Sequence, residues 1–119
     1  MVGKSVTFKD RTVVGLTENI IIIGGVKTKT IARIDSGATK SSIDSLFASE
    51  LKLGPVLETK MVKSASGNKM RPVIEAKIKI KGKEIQARFT LADRSHMKFK
   101  VLIGQNILKE NFLIDPMKK

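Results

Sequence analysis

The chain contains no cysteine, no tryptophan and no tyrosine. Without cysteine there is no disulfide scaffold, no thiolate metal site and no thiol nucleophile. The one histidine, His96, excludes any metal site that draws two imidazoles from one chain. Five phenylalanines are the only side chains able to stack on bases, which weighs against a nucleic-acid partner. Long apolar runs are missing as well. The longest, Ile20 to Ile23, falls far short of the ~20 residues that cross a bilayer. The N-terminus shows no apolar signal core. The expectation is a cytoplasmic protein that does not enter a membrane.

Acidic residues are also scarce. There are 11 Asp and Glu against 23 Lys and Arg, for a net charge of +12. The excess is concentrated. Residues 60–100 hold 12 basic side chains and only Glu75, Glu84 and Asp93 on the acidic side, a net +9. A field this lopsided attracts something acidic: nucleic acid, an anionic surface or an acidic polypeptide. It also fits lysines that blunt strand edges. At 119 residues, 41% hydrophobic and 29% charged, the chain has the length and composition of one globular domain, 1–119.

The hydrophobic pattern reads mostly as strands. Val13-Val14-Gly15 and Ile20 to Ile23 are short β-prone runs, and Lys27 to Ile34 enters an apolar layer. The runs on either side of Gly24-Gly25 suggest a hairpin. Ala76, Ile78 and Ile80 alternate with Lys77, Lys79 and Lys81, as do Ile85, Ala87, Phe89 and Leu91 with polar neighbours. Period two with charge on one side marks half-buried strands. The segment from Ser41 to Leu51 spaces Ile43, Leu46, Phe47 and Leu51 as a helix would, and Gly54-Pro55 stops it. Ser64 to Asn68 reads as a hairpin tip within a hairpin of about residues 60–74. Val101 to Ile103 is a short buried run, Ile107-Leu108 begins a helical turn, and Phe112 to Ile114 is a last strand. The sum is an all-β domain with one short helix, a small barrel or sandwich.

Two segments carry more than fold. In Ile34-Asp35-Ser36-Gly37-Ala38-Thr39 an apolar strand delivers a carboxylate to its own end. Gly37 and Ala38 then allow a sharp turn and close approach. A strand–turn–helix entry, with Asp35 or Ser36 satisfying free N–H groups, accounts for the same string. Val101 to Leu108, with Gly104-Gln105-Asn106 at its centre, alone says only that a buried strand turns.

In this order and about 70 residues apart, the two segments resemble the retropepsin-like aspartic proteases. The features of likeness are Ile34 to Ala38, a Gly-containing flap at Ala65, Ser66, Gly67 and Asn68, and Leu102 to Asn106. The nearer resemblance is to the prokaryotic branch that carries the label "ATP-dependent zinc protease" and is associated with ATP-grasp glutamate ligases of the RimK type. There the likeness extends through Thr39, Ser41-Ser42, Asp93-Arg94, Met97 and Phe112 to Pro116. Neither qualifier in that label has chemical support in the chain. Zinc needs three or four N, S or O ligands, and neither the cysteines nor a paired histidine motif exist. No G-x-x-x-x-G-K-[ST] phosphate loop is present. No metal or cofactor is expected.

The resemblance implies a closed acid-protease barrel in which Asp35 is catalytic and Ser36, Gly37, Ala38 and Thr39 form the active-site loop. Gly104, Gln105 and Asn106 would support that loop. Because such chemistry needs two carboxylates and the chain supplies one DSG, the implied unit is a homodimer, with Ser36 bonding across it and the lone monomer inactive. The family's retroviral members place an acid after DTGA and an arginine after the late glycine; the corresponding Thr39 and Gln105 are both neutral, so no charge is orphaned. The association with glutamate ligases suggests acidic, oligo-glutamate-like peptides or protein tails as substrate. Lys63, Lys69, Arg71 and Arg94 are the candidate contacts. His96 reads as an exposed loop residue, and Met61, Met70 and Met97 as packing. Two alternatives stay open at this stage: a retropepsin-fold module that binds acidic peptides without cleaving them, and a basic nucleic-acid-binding β-barrel.

Overall fold

The computed structural model describes residues 6–64 and 67–118. Its central feature is a ring of six strands. β3 (Thr17–Ile23) pairs with β4 (Lys27–Ile34), followed in spatial order by β9 (Val101–Ile103), β5 (Ser41–Asp44), β8 (Lys83–Ala92) and β7 (Gly67–Ile80). β7 pairs back onto β3 and closes the barrel. Closure removes the free edges that β7 and β3 would otherwise present. β6 (Val56–Ser64) lies outside the ring as the second arm of a long hairpin with β7.

The alternating sequences explain the wall. Ile74, Ala76, Ile78 and Ile80 of β7 point inward and are buried, while Lys77 and Lys79 point out. Ile20 and Ile22 of β3, Ala32 and Ile34 of β4, Phe89 of β8 and Val101 and Ile103 of β9 fill the same interior. Each large aliphatic side chain buried there contributes ~1.5–3 kcal/mol. The hairpin at Gly24-Gly25 forms as the turn signal predicts, with Ile23 opposite Lys27.

The segment from Ser41 to Leu51 differs from its sequence pattern. Its first four residues form a strand, parallel to β8 and antiparallel to β9. Helix α1 (Ser45–Glu50) begins only after Asp44, whose carboxylate accepts the N–H of Phe47 at 3.1 Å. Pairing with two distant strands overrides local periodicity. As a result Ile43 is buried as a strand residue, and Leu46, counted on the apolar helix face, is 67% exposed. The structure also has a second helix, α2 (Gln105–Leu108), so there are two short helices rather than one among the described residues.

The ends of the chain meet in a small separate sheet. β1 (Thr7–Phe8) and β2 (Arg11–Val14) form a hairpin, and β10 (Phe112–Ile114) joins β2 in parallel. The hairpin expected as a flap is longer than its sequence signal. It runs along β6 and β7, from Val56 opposite Ile74 to Ser64 opposite Gly67. Gly67 and Asn68 lie at the start of β7; Ala65 and Ser66 lie outside the described residues. Met61 and Met70 face each other across this hairpin and are 53% and 57% exposed. Together with Met97, at 56% exposed, they are surface residues and not the packing residues their apolar character suggests. No helix among the described residues is long and apolar enough to cross a membrane.

Candidate active site

Asp35 follows the last residue of β4, where the strand leaves the barrel. Its N–H donates to the Ile103 carbonyl at 2.9 Å, which carries the β4–β9 pairing one step further. Its carboxylate Oδ1 accepts the Gly37 N–H at 2.9 Å, and its own carbonyl accepts the Ala38 N–H at 3.2 Å. Among the described residues Oδ2 has no hydrogen-bond partner. The carboxylate is therefore held at one oxygen, half-buried, and open at the other.

The supporting loop comes from the other end of the chain. Gly104 ends the β9 run, and a Cβ there would stand 2.4 Å from the Lys40 carbonyl oxygen and 2.8 Å from that of Ala38. Only glycine lets the two backbones approach this closely. The Gln105 N–H donates to the Ala38 carbonyl at 2.8 Å, and its side-chain amide donates to the Ser36 carbonyl at 2.8 Å. The Asn106 N–H reaches the Thr39 carbonyl at 3.3 Å. Beneath them the fully buried Ser41 accepts the Gly104 N–H at 2.9 Å and donates its hydroxyl proton to Asn106 Oδ1 at 2.7 Å. Asn106 Nδ2 in turn donates to the Arg88 carbonyl at 3.0 Å. Gln105 thus meets the loop without a charged partner at Thr39; it bonds backbone carbonyls in place of a carboxylate.

A cleft of about 520 Å³ opens beside this loop. Gly37, Ala38 and Thr39 form one wall, Met61 and Val62 of β6 another, and Ser42, Thr90 and Leu102 the floor. Four cations border it: Lys40, Lys63, Arg71 and Arg94, with no acidic side chain among the lining residues. Three of these belong to the set chosen from sequence. Lys69 does not line the cleft; it is exposed on the hairpin opposite Val62. His96 is exposed, as expected for a loop residue.

Arg94 is held from both sides. Its N–H donates to Asp44 Oδ1 at 2.8 Å and its Nε to the Phe99 carbonyl at 3.0 Å. Partial burial pulls this guanidinium below its ordinary range, and the nearby charges of Arg33 and Arg71 add to the effect, against the opposing pull of Asp44 and Asp35. Crowded cations in a half-dry setting bind an anion more strongly than the same charges dispersed in water.

Sequence reasoning omits Lys40, Arg33 and Asp44. Lys40 directly follows the Asp35–Thr39 loop and is readable by proximity. Arg33 and Asp44 enter only through strand register: Arg33 pairs with Leu102, and Leu102 with Ser42. Among the described residues no group of three or more His, Asp or Glu side chains is placed to hold a metal ion.

A second groove of about 370 Å³, mostly apolar, adjoins the loop from the other side. Ser36 and Gln105 border it together with Leu108, Phe112, Leu113 and Ile114.

Residues 47–119 match the model of the RimB-like family, described as retropepsin-like aspartic endopeptidase RimB. The match starts downstream of Asp35. A protein of Desulfotalea psychrophila named probable alpha-L-glutamate ligase is 33% identical over 63 residues, which are 52% of this chain and 14% of that protein. The chain thus spans a minor part of that relative. Among solved structures, the protease of EIAV in complex with the inhibitor HBY-793 superposes with a TM-score of 0.67 at 24% identity, covering 88% of this chain and 93% of that one. Lpg0085 of Legionella pneumophila, a protein of unknown function, gives 0.66 at 19% identity over 90% and 95% of the two chains. The simian foamy virus protease gives 0.59 at 22% identity over 78% and 91%. At these identities the structural likeness bears on the fold.

Proposed function

This chain belongs to the RimB-like family of retropepsin-like aspartic endopeptidases, and from that premise we propose that it hydrolyses peptide bonds in acidic peptides or protein tails as a homodimer in which Asp35 is the catalytic carboxylate. The observation that carries the reading is the placement of Asp35: at a strand end, fixed through one oxygen by the Gly37 N–H, on a loop that walls a cleft whose charged lining residues are all cations.

One carboxylate is half of the chemistry. In the dimer, Asp35 stands near Asp35 of a second copy, and two carboxylates so close share a single proton. The ionised one takes a proton from a water molecule, whose oxygen attacks the scissile carbonyl carbon. The protonated one donates to the carbonyl oxygen, giving a neutral tetrahedral diol. A proton then passes to the amide nitrogen, the C–N bond breaks, and acid and amine leave. In this reading the second copy packs on the apolar groove beside Ser36 and Gln105, and Ser36 bonds across it; the exposure of Ser36 at the groove supports this. The hairpin of β6 and β7 acts as the flap, with Met61 and Val62 over the cleft.

The cations supply the substrate preference. Lys40, Lys63, Arg71 and Arg94 meet substrate carboxylates, Arg94 and Arg71 with the planar geometry that suits two parallel hydrogen bonds. No bound cofactor enters any step.

The test is a peptide digest followed by mass spectrometry. An oligo-glutamate-tailed peptide and a neutral control are incubated from acidic to neutral pH with the native chain and with Asp35→Asn. Cleavage of the acidic peptide that vanishes in the variant is the expected result, with sedimentation reporting a dimer for both proteins. Cleavage that persists in Asp35→Asn would sink the catalytic assignment, and cleavage of the neutral peptide alone would sink the substrate assignment.

A further inference from the structure

The outer wall of the barrel carries a second basic feature, continuous with the cleft, and strand register fixes its layout. In β4, Lys27, Lys29, Ile31 and Arg33 point outward while Ala32 and Ile34 enter the core. Ile23 of β3 has Lys27 on one side and Lys77 on the other; Ile21 has Lys29 and Lys79. Paired residues share a face of the sheet, so two Lys–Ile–Lys rows lie side by side outside the barrel. Lysines on the same strand stand ~7 Å apart, and the rows span ~10 Å from β4 to β7. From this array β4 runs toward Asp35. Arg33 is its last outward residue, and its partner Leu102 lines the cleft. From Lys27 to Arg33 the track covers ~20 Å.

The track is strongly one-sided in charge. Glu84 lies 3.7 Å from Lys77 and stands opposite Lys79 across the β7–β8 pairing, whereas no salt bridge among the described residues reaches Lys27, Lys29 or Arg33. The remaining acid on this side, Glu75, accepts a hydrogen bond from Gln86. The floor between the lysines is apolar: Ile21 and Ile23 are half-buried and Ile31 is 47% exposed. A face built only for solubility intersperses both signs of charge and does not set one sign around exposed isoleucines.

We propose that this track is an exosite for an acidic polypeptide, which lies in extended form along β4 and β3 while one end occupies the cleft. An extended chain presents same-side side chains every two residues, ~7 Å apart. That repeat equals the spacing of Lys27 and Lys29, and of Lys77 and Lys79, so successive carboxylates meet successive ammonium groups. The methylenes of the acidic side chains cover the isoleucine floor. Arg33 bridges the track and the cleft. A single-stranded nucleic acid would need stacking groups, and no aromatic residue belongs to these rows. The exosite rests on the acidic-substrate reading of the cleft and adds a length dependence to it: affinity rises with the acidic tail until the track is filled, and falls with salt.

The test measures binding to the full chain carrying Asp35→Asn, by anisotropy of labelled oligo-glutamate peptides of four and twelve residues. Four extended residues reach only ~13 Å, too short to pass from the cleft to Lys29, whereas twelve reach ~40 Å. The twelve-residue peptide should bind about tenfold more tightly than the four-residue one. Adding Lys27→Ala, Lys29→Ala and Lys79→Ala together should remove that advantage and leave the shorter peptide unchanged. The corresponding triple change to arginine, which keeps the charge, should restore it. An unchanged twelve-residue affinity in the triple alanine variant overturns the exosite while the cleft reading stands, provided that Arg94→Gln still weakens the four-residue peptide. If Arg94→Gln alters neither peptide, the cleft reading fails and the exosite with it. Tighter binding of an oligonucleotide of equal charge, lost in the same triple variant, would reassign the track to nucleic acid and overturn the proposal.

Discussion

The side-chain amide of Gln105 donates to the carbonyl oxygen of Ser36 at 2.8 Å, joining two positions 69 residues apart. The bond holds the backbone of the loop that follows Asp35 directly, without the pair of charges that would tie a loop side chain to an arginine. Both residues are exposed in the single chain and border the apolar groove assigned here to the second copy.

Gln105→Ala removes that bond and leaves the backbone bond from Gln105 to Ala38 intact. An exposed hydrogen bond contributes about 0.5–1.5 kcal/mol, so the stability cost is at the low end of that range. Catalysis is more sensitive, because a loop that wanders misplaces Asp35. The expected result is a kcat lower by about 10- to 100-fold with KM little changed. A urea melt measured alongside the kinetics separates the two effects, and an unchanged kcat would show that the loop is held by its other bonds alone.

Gly104→Ala acts on packing. The added methyl meets two backbone oxygens, at 2.4 Å and 2.8 Å, and backbone cannot rotate away as a side chain can. Overpacking of this kind costs ~1–3 kcal/mol or more. Thermal unfolding should shift down by roughly 5–15 °C. An equal melting temperature would mean that the β9 turn and the Asp35–Thr39 loop separate freely.

Ser41→Ala tests the buried bond network under the same turn. The hydroxyl serves as acceptor for Gly104 and donor to Asn106, and its removal strands a buried N–H and a carboxamide oxygen. Leaving such groups unpaired costs about 1–3 kcal/mol. The measurement is equilibrium denaturation, and an unchanged midpoint would show that the Gly104 N–H and the Asn106 carboxamide find other partners.

Much of this was legible in the chain, and the remainder was hidden for identifiable reasons. The β7 and β8 walls declare themselves because alternation is local: Ile78 and Lys79 reveal their faces from adjacent residues. The loop at Asp35 is legible as a motif, and Gly104 as its distant counterpart only by family likeness. The strand Ser41–Asp44 was hidden because its partners, Phe89 to Ala92 and Val101-Leu102, lie far along the chain. The same applies to the parallel pairing of β10 with β2, which joins residues about 100 positions apart. The cation-lined cleft combines both cases. Lys63, Arg71 and Arg94 are legible from the basic excess together with the family likeness, whereas Arg33, outside the cleft lining, comes near Arg94 only through the fold.

Arg94→Gln separates substrate charge from substrate cleavage. The guanidinium borders the cleft, and its backbone is secured by Asp44 independently of the side chain, so the loop should keep its course. KM for an acidic peptide should rise about tenfold and KM for a neutral peptide should not change, with the difference shrinking as salt is raised. Equal effects on both peptides would assign Arg94 to loop structure through its bond to Phe99.

The Glu18 carboxylate makes the fold's response to acid measurable. Its side chain is only 6% exposed, yet it accepts the Gly15 N–H at 2.7 Å and meets Lys118 at 2.9 Å and Lys81 at 3.2 Å. Burial pushes this carboxyl up; the bond from Lys118, the Gly15 N–H and the Lys81 ammonium together outweigh burial and hold it below its ordinary value of 4.5. A carboxyl whose pKa is lower in the folded chain adds stability above its unfolded value, and that stability is lost as pH falls through the folded one. Charged at neutral pH, the group ties the segment after β10 to β3 and to the turn between β7 and β8. Glu18→Gln should therefore cost about 1.5–3 kcal/mol at pH 7, the range for hydrogen bonds to a charged group. Below pH 4.5 the gap between native and variant should narrow, and it should close once the native carboxyl is protonated, because a neutral acid and an amide then offer the lysines little difference. Melting curves from pH 7 to pH 3 for the two proteins test this. A gap that stays constant across that range would assign the role of Glu18 to packing and not to its charge.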